Sequence, residues 1–166
     1  MSTGSCTLIS RRGYAYKAFA PLAKAIAAAL RNRQAVLDGE IVCVNETGEP
    51  QFHTLLFRRA LPWFYAFDLL WLGGEDLRSL LLLERKRRLR RLVPRRNSRL
   101  LYVHHVAQRG LDLFRAVCER DLEGIVGKLA HAHYVEQPAP WIKVLNPRYT
   151  QKIGRHDLFE RRTSAK

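Results

Sequence analysis

A chain of 166 residues suits one compact domain and is too short for two comfortable ones. Its hydrophobic fraction of 47%, with three Trp and seven Phe, excludes global disorder. Twenty-nine Lys and Arg against 15 Asp and Glu leave a formal charge of +14, which favours a polyanionic partner through the counterions that phosphates release. Nucleic acid is the first such partner and an anionic membrane surface the second. The longest apolar runs, Ala25 to Leu30 and Leu80 to Leu83, fall far below the roughly 20 residues of a membrane span. The first ten residues have neither the charged n-region nor the long h-region of a secretory signal. Cys6, Cys43 and Cys118 are odd in number and form no C-x-x-C pair, which points to a reducing cytoplasm rather than a disulfide framework or zinc site. His131 and His133 form an H-x-H pair with no third metal ligand nearby, so they read as surface histidines.

In chain order, Thr7 to Ser10 reads as a short strand ending at the turn Arg11-Arg12-Gly13. Phe19, Leu22, Ala23, Ile26 and Leu30 recur at helical spacing in an Ala-rich setting. Ala35 to Asn45 reads as a strand that closes at the turn cluster Glu46 to Pro50, and Phe64 to Leu72 as a buried strand bounded by Pro62 and Gly73-Gly74. From Glu84 to Arg99 there are nine Lys or Arg and one Glu, a local balance of +8. Leu82, Leu89, Leu92 and Val93 mark a helical face there until Pro94. A strand over Leu100 to Val106, a helix over Leu111 to Glu119, and strands over Glu123 to Leu129 and Trp141 to Leu145 complete the pattern. The mixed, strand-dominated order predicts an α+β domain with antiparallel sheets flanked by helices.

Chemistry-bearing residues sit on these elements. Period-2 geometry puts Asp38 and Glu40 on one strand face with Val36 and Val42. Carboxylates on an otherwise apolar strand need a partner, whether a ligand or the solvent at a strand edge. Glu123 and Lys128 flank Gly124-Ile125-Val126-Gly127, where the glycines permit close approach of a ligand or another backbone. Strict alternation points Glu123 and Lys128 to opposite faces unless the strand is bulged. Lys143, two residues after Trp141, suits neutralising a phosphate or packing on the indole. Arg11 and Arg12 offer a cation pair at a tight turn. Arg85, Lys86 and Arg88 in the basic helix can meet a phosphate backbone, a contact that carries no sequence information. Phe67 precedes Asp68 in a hydrophobic strand, a position for a core aromatic or a stacking platform.

Taken together and in this order, these segments resemble the nucleotidyltransferase motifs of ATP-dependent DNA ligases, and among them the bacterial ligases of repair and non-homologous end joining. The resemblance runs from about Thr7 to Glu160. It implies that Arg11, in Ser10-Arg11-Arg12-Gly13, contacts a phosphate. It implies that Glu40, in Leu37-Asp38-Gly39-Glu40, contacts the nucleotide ribose. Phe67, in Tyr65-Ala66-Phe67-Asp68, would stack on adenine, and Gly74 to Arg78 with Glu84-Arg85-Lys86 continue that motif. Glu123, in Glu123-Gly124-Ile125-Val126-Gly127-Lys128, would support the divalent metal. Lys143, in Trp141-Ile142-Lys143, would neutralise the α-phosphate. ATP, held finally as AMP, and Mg²⁺ are the implied cofactors, and nicked or broken duplex DNA is the implied substrate. A complete ligase or end-joining proteins are the implied further partners, in a bacterial, nucleoid-associated cytoplasm. The implied chemistry is a sequence of phosphoryl-type displacements, which depend on positioning and on neutralising oxygen charge.

The resemblance also carries departures. The family's nucleophile lies in a Lys-x-Asp-Gly motif, yet the only Asp-Gly here, Asp38-Gly39, follows Val36-Leu37. Leu145 stands where the last motif has a second lysine. The expectation is a partial nucleotidyltransferase domain over residues 1–160 with a tail over 161–166, incomplete at its N-terminus and without an OB-fold domain. Self-adenylation is then not expected. The alternative is a non-catalytic, basic DNA-binding accessory derived from a ligase.

Overall fold

The computed structural model describes residues 4–31, 33–135 and 141–150; the tail expected over 161–166 lies outside them. Two compact units are present. One comprises Met1–His104 with Leu129–Ala139, the other His105–Lys128 with Pro140–Lys166.

The first unit is built on helix α1 (Ala20–Leu30), strands β1 (Ala35–Val42) and β2 (Trp63–Leu72), and helix α3 (Leu82–Leu92). In α1, Pro21 occupies the first turn, where its missing N–H costs nothing. Leu22, Ile26 and Leu30 recur every four residues and are buried. The left-handed conformation of Arg31 ends the helix. β1 pairs antiparallel with β2 from Ala35 opposite Leu72 to Val42 opposite Trp63. At Gly73-Gly74, with φ of 59° and 97°, the chain turns tightly into the short strand β3 (Glu75–Asp76). Two successive positive φ values are what a two-residue hairpin turn of this hand requires. After α3, strand β4 (Leu100–Tyr102) pairs parallel with Phe64 to Ala66 of β2, an exception to the antiparallel expectation. With β1 along one edge of β2, β3 and β4 share the other. The core joins Leu22, Ile26 and Leu30 to Phe64, Ala66, Leu69, Leu89 and Leu100, each large side chain contributing about 1.5–3 kcal/mol by leaving water.

α3 holds its position through charge as well as packing. Its buried stripe runs Leu82, Arg85, Lys86, Leu89, Leu92, so two cations occupy core spacings. The Arg85 guanidinium donates from Nε and Nη2 to the two carboxylate oxygens of Asp68, at 2.9 and 3.0 Å. Its Nη1 reaches the carbonyl of Leu80 at 2.5 Å. Lys86 Nζ donates to the carbonyls of Phe67 and Val103 at 3.2 and 3.4 Å. No side chain caps the start of α3. The returning segment supplies acceptors instead: Leu82 and Leu83 N–H donate to the carbonyls of Ala132 and Ala130.

The second unit contains helix α4 (Gly110–Glu119) and a hairpin of β5 (Gly124–Lys128) and β6 (Trp141–Leu145), paired antiparallel in unbroken register. α4 packs against β5 and buries Val117. Asn146 closes the base of the hairpin, its N–H donating to the Glu123 carbonyl and its amide to that of Leu122.

Several sequence expectations are corrected. Thr7 to Ser10 forms only an isolated bridge between Ile9 and Ala15, because the turn at Gly13 reverses the chain before a ladder can extend. The strand expected to reach Val106 stops at Tyr102, where its pairing with β2 ends. The five-residue helix α2 (Phe52–Leu56) and the two-residue β3 are too short to show periodicity.

Arg85→Ala should strand the Asp68 carboxylate in the core and cost about 3–5 kcal/mol. Arg87→Ala, one turn face away and exposed, should stay within about 0.5 kcal/mol. Urea unfolding of both variants checks the contrast, and equal midpoints would count against the buried pair.

Candidate functional site

In the first unit, Arg11 and Arg12 stand exposed at the tip of a turn. The turn is closed by Gly13 N–H to the Ser10 carbonyl at 2.9 Å and by Tyr14 N–H to Ser10 Oγ at 3.0 Å. Neither arginine makes an ion pair among the described residues, so both charges face outward.

β2 alternates cleanly as far as Phe67: Phe64 and Ala66 are buried, while Trp63, Tyr65 and Phe67 lie half-buried on the opposite face, and Asp68, next along, is buried too. Glu40 is directly across from Tyr65 and is exposed. The sheet therefore brings Glu40 and Phe67 to one open face, on either side of Tyr65. Phe67, like Leu70 further along β2, has no partner in the ladder. Gly39 pairs with Ala66 and Asp38 with Asp68, which leaves Phe67 as the extra residue of a β-bulge. The extra residue lies on β2 alone, so alternation along β1 is unbroken and Asp38 keeps the face it shares with Glu40. Asp38 lies opposite the buried Asp68, and Tyr134 Oη approaches its carboxylate at 3.4 Å. Burial pushes the Tyr65 phenol above its usual pKa, so it stays neutral beside Glu40. Gly39 is required by contact: a Cβ there would lie 2.6 Å from the Phe64 ring and from the Tyr65 carbonyl oxygen.

In the second unit, Glu123 is exposed just before β5. Gly124, with φ of 151°, lies so close to β6 that an added Cβ would meet the Val144 carbonyl oxygen at 2.2 Å. Lys128 pairs with Trp141, and its ammonium sits 3.7 Å from the indole centroid. Lys128 therefore covers Trp141, the partner that the sequence suggested for Lys143. Lys143, across from Val126, is exposed and makes no ion pair among the described residues. Alternation along β6 puts Trp141, Lys143 and Leu145 on one face. Leu145 is 55% exposed there, so the apolar residue at the second lysine position is in water.

The proposed phosphate contacts on α3 need correction. Arg85 and Lys86 are only 2% and 7% exposed and spend their donors inside the protein. Neither is available to nucleic acid. Arg88 is partly exposed and is neutralised by Glu75 at 2.5 Å and Glu84 at 3.6 Å; these carboxylates raise its pKa. Glu84 also pairs with Arg87. The signal was present in the sequence, since Arg85 and Lys86 fall on the stripe set by Leu82 and Leu89. Asp68 was missed as a structural residue, although an acid inside an apolar strand implies a buried partner. His131 and His133 are exposed. No group of three His, Cys, Asp or Glu among the described residues is arranged to hold a metal.

Comparison with known proteins places the chain in a family. A family model described as "ATP dependent DNA ligase domain" matches residues 1–144. The chain is 32% identical over 148 residues to the multifunctional non-homologous end joining protein LigD of Pseudomonas aeruginosa, covering 85% of this chain and 18% of that protein. It is 38% identical over 104 residues to a DNA ligase of Pyrobaculum calidifontis, covering 54% of this chain and 18% of that one. The chain thus spans under a fifth of either relative. The crystal structure of the ligase domain of M. tuberculosis LigD is similar at a TM-score of 0.73 and 29% identity, over 84% of this chain and 46% of that one.

Gly124→Ala should force β5 and β6 apart and destabilise the hairpin by about 1–3 kcal/mol. Hydrogen exchange of the β5 and β6 amides reads this directly. Unchanged protection there would show that the backbone approach at Gly124 is not a constraint.

Proposed function

We propose, given that this chain belongs to the ATP-dependent DNA ligase domain family, that it is the nucleotide-binding part of an enzyme that seals nicked or broken duplex DNA in bacterial repair and end joining. The observation that carries this reading is the open face of the first unit's sheet, where Glu40 and a bulge-displaced Phe67 flank Tyr65. An aromatic ring and a carboxylate on one face suit a purine and its ribose. The residues also fit the implied cofactors. Lys143 has an uncommitted charge suited to a phosphate oxygen, and Arg11 offers another at its turn. Glu123 is a single carboxylate, in keeping with a Mg²⁺ that retains water and phosphate oxygens rather than a protein cage.

When bound, ATP would supply the adenylyl group and Mg²⁺ would neutralise charge on its phosphates. The chain's own work is to hold and orient. Phe67 holds the base and Glu40 the sugar, while Arg11 in the first unit and Lys143 in the second each supply a cation suited to a phosphate oxygen. None of these residues is an attacking nucleophile. The 166 residues contain no Lys-x-Asp-Gly, so the chain by itself is read as binding ATP without becoming covalently labelled. Further partners on this reading are a complete ligase or end-joining proteins, in a bacterial cytoplasm close to the nucleoid. No helix among the described residues is long and apolar enough to cross a membrane. A second reading, a DNA-binding accessory without catalysis, is favoured by Leu145 at the second lysine position.

Incubation with α-labelled ATP and Mg²⁺ should leave the 166-residue chain unlabelled after denaturing electrophoresis; a labelled band would overturn the missing-nucleophile reading. Titration calorimetry should show ATP binding that weakens about tenfold, roughly 1.4 kcal/mol, in Phe67→Ala and in Lys143→Ala. Absence of ATP binding by a folded chain would sink the nucleotide site. Sealing of a pre-adenylated nick separates the two readings, because the accessory leaves it open.

A further inference from the structure

We propose that an arginine-lined groove beside Trp63, in the first unit, holds a single strand of nucleic acid, such as the overhang of a broken end. An open cavity of about 730 Å³ is lined by the C-terminal half of α1 and by the turn that follows α3. Its lining includes Arg31, Arg96, Arg99 and Trp63, and no Asp or Glu. None of the residues assigned to nucleotide binding lines it.

The charge there is uncompensated. Arg31 and Arg96 are exposed and make no ion pair among the described residues. Arg33 and Arg95, their neighbours in sequence, are exposed as well. The contrast with α3 is instructive, because Glu75 and Glu84 neutralise Arg87 and Arg88 there. Like charges gathered in a concavity repel one another and concentrate an anionic partner. Arg99 is held in place. It donates from Nη1 to the Leu61 carbonyl at 2.9 Å, and its guanidinium lies 4.3 Å from the Trp63 ring centroid. Trp63 is half-buried and lines the cavity beside the cations.

A positive groove with an aromatic wall is the combination that single strands use, phosphates on the cations and bases against the ring. The volume lies in the range of sites that enclose a drug-sized molecule. That space suits one or two nucleotides and excludes a duplex. An acidic protein segment would satisfy the arginines but leave the indole without a flat partner. The inference rests on the ligase reading for its substrate, DNA ends. The groove itself rests on its own residues.

The test uses the 166-residue chain with a short fluorescein-labelled oligothymidylate, a blunt duplex, polyglutamate and ATP. The Arg31→Ala, Arg96→Ala double variant should bind the oligonucleotide at least about tenfold more weakly. Its log–log salt slope should be shallower by about 1.4, the value for two lost single-strand phosphate contacts. Oligonucleotide binding should quench tryptophan fluorescence, and Trp63→Phe should remove that quench. Matching thermal melts for variants and parent establish that the fold is kept. Unchanged oligonucleotide affinity in a folded double variant overturns the proposal. So does polyglutamate binding that needs these arginines while oligothymidylate does not bind. ATP binding is read in parallel: its loss with the groove intact overturns the ligase reading alone, and its retention with an unresponsive groove overturns the groove alone.

Discussion

The ion pair between Asp68 and Arg85 is withdrawn from water and ties three parts of the first unit together. Asp68 is fully buried on β2 and lies opposite Asp38 on β1, so two carboxylates would meet across the strands without a cation. The planar fork of Arg85 satisfies Asp68 through two donors and reaches the Leu80 carbonyl with a third nitrogen. The same guanidinium lies 5.7 Å from the centroid of Tyr134, whose hydroxyl approaches Asp38. One side chain therefore links the central strand, the start of α3 and the segment returning at Leu129. Such a pair adds little over a well-packed apolar substitute, but half of it is far worse than none. Its main effect is on register, since only one alignment of strand and helix brings fork and carboxylate together.

That alignment governs the open face. Phe67 occupies the bulge between two pairs fixed on either side, Gly39 with Ala66 and Asp38 with Asp68. Lys86 donates to the Phe67 carbonyl, which holds the backbone of the bulged residue. Gly39 completes the arrangement because no Cβ fits between β1 and the Phe64 ring. On the proposed function Glu40 and Phe67 meet the nucleotide, while their neighbours Gly39 and Asp68 keep the strands and helix in place.

Much of this was legible in the sequence for physical reasons. β2 and α1 announce themselves because their cores repeat at strand and helix spacing over ten and eleven residues. Glu40, Phe67, Glu123 and Lys143 are candidates that rest on short ordered motifs rather than on periodicity. At Arg85 and Lys86 the density of charge in the sequence masks the apolar spacing, and their acceptors on Asp68, Phe67 and Val103 lie 17 to 19 residues away in the chain. The bulge at Phe67 could not be seen, because strict alternation is all that a sequence pattern offers. Nor could Lys128 be assigned to Trp141, since that contact depends on the pairing register of β5 with β6.

The chain passes between its two units three times, at His104–His105, Lys128–Leu129 and Ala139–Pro140. No single cleavage point separates them. A product ending after His104 would keep every strand of the larger sheet yet lose Ala130, Ala132 and Tyr134, and with them the acceptors for the first turn of α3. Division of this protein into independently expressed halves would need one loop graft in place of residues 105–128 and another in place of residues 129–139, rather than a stop codon.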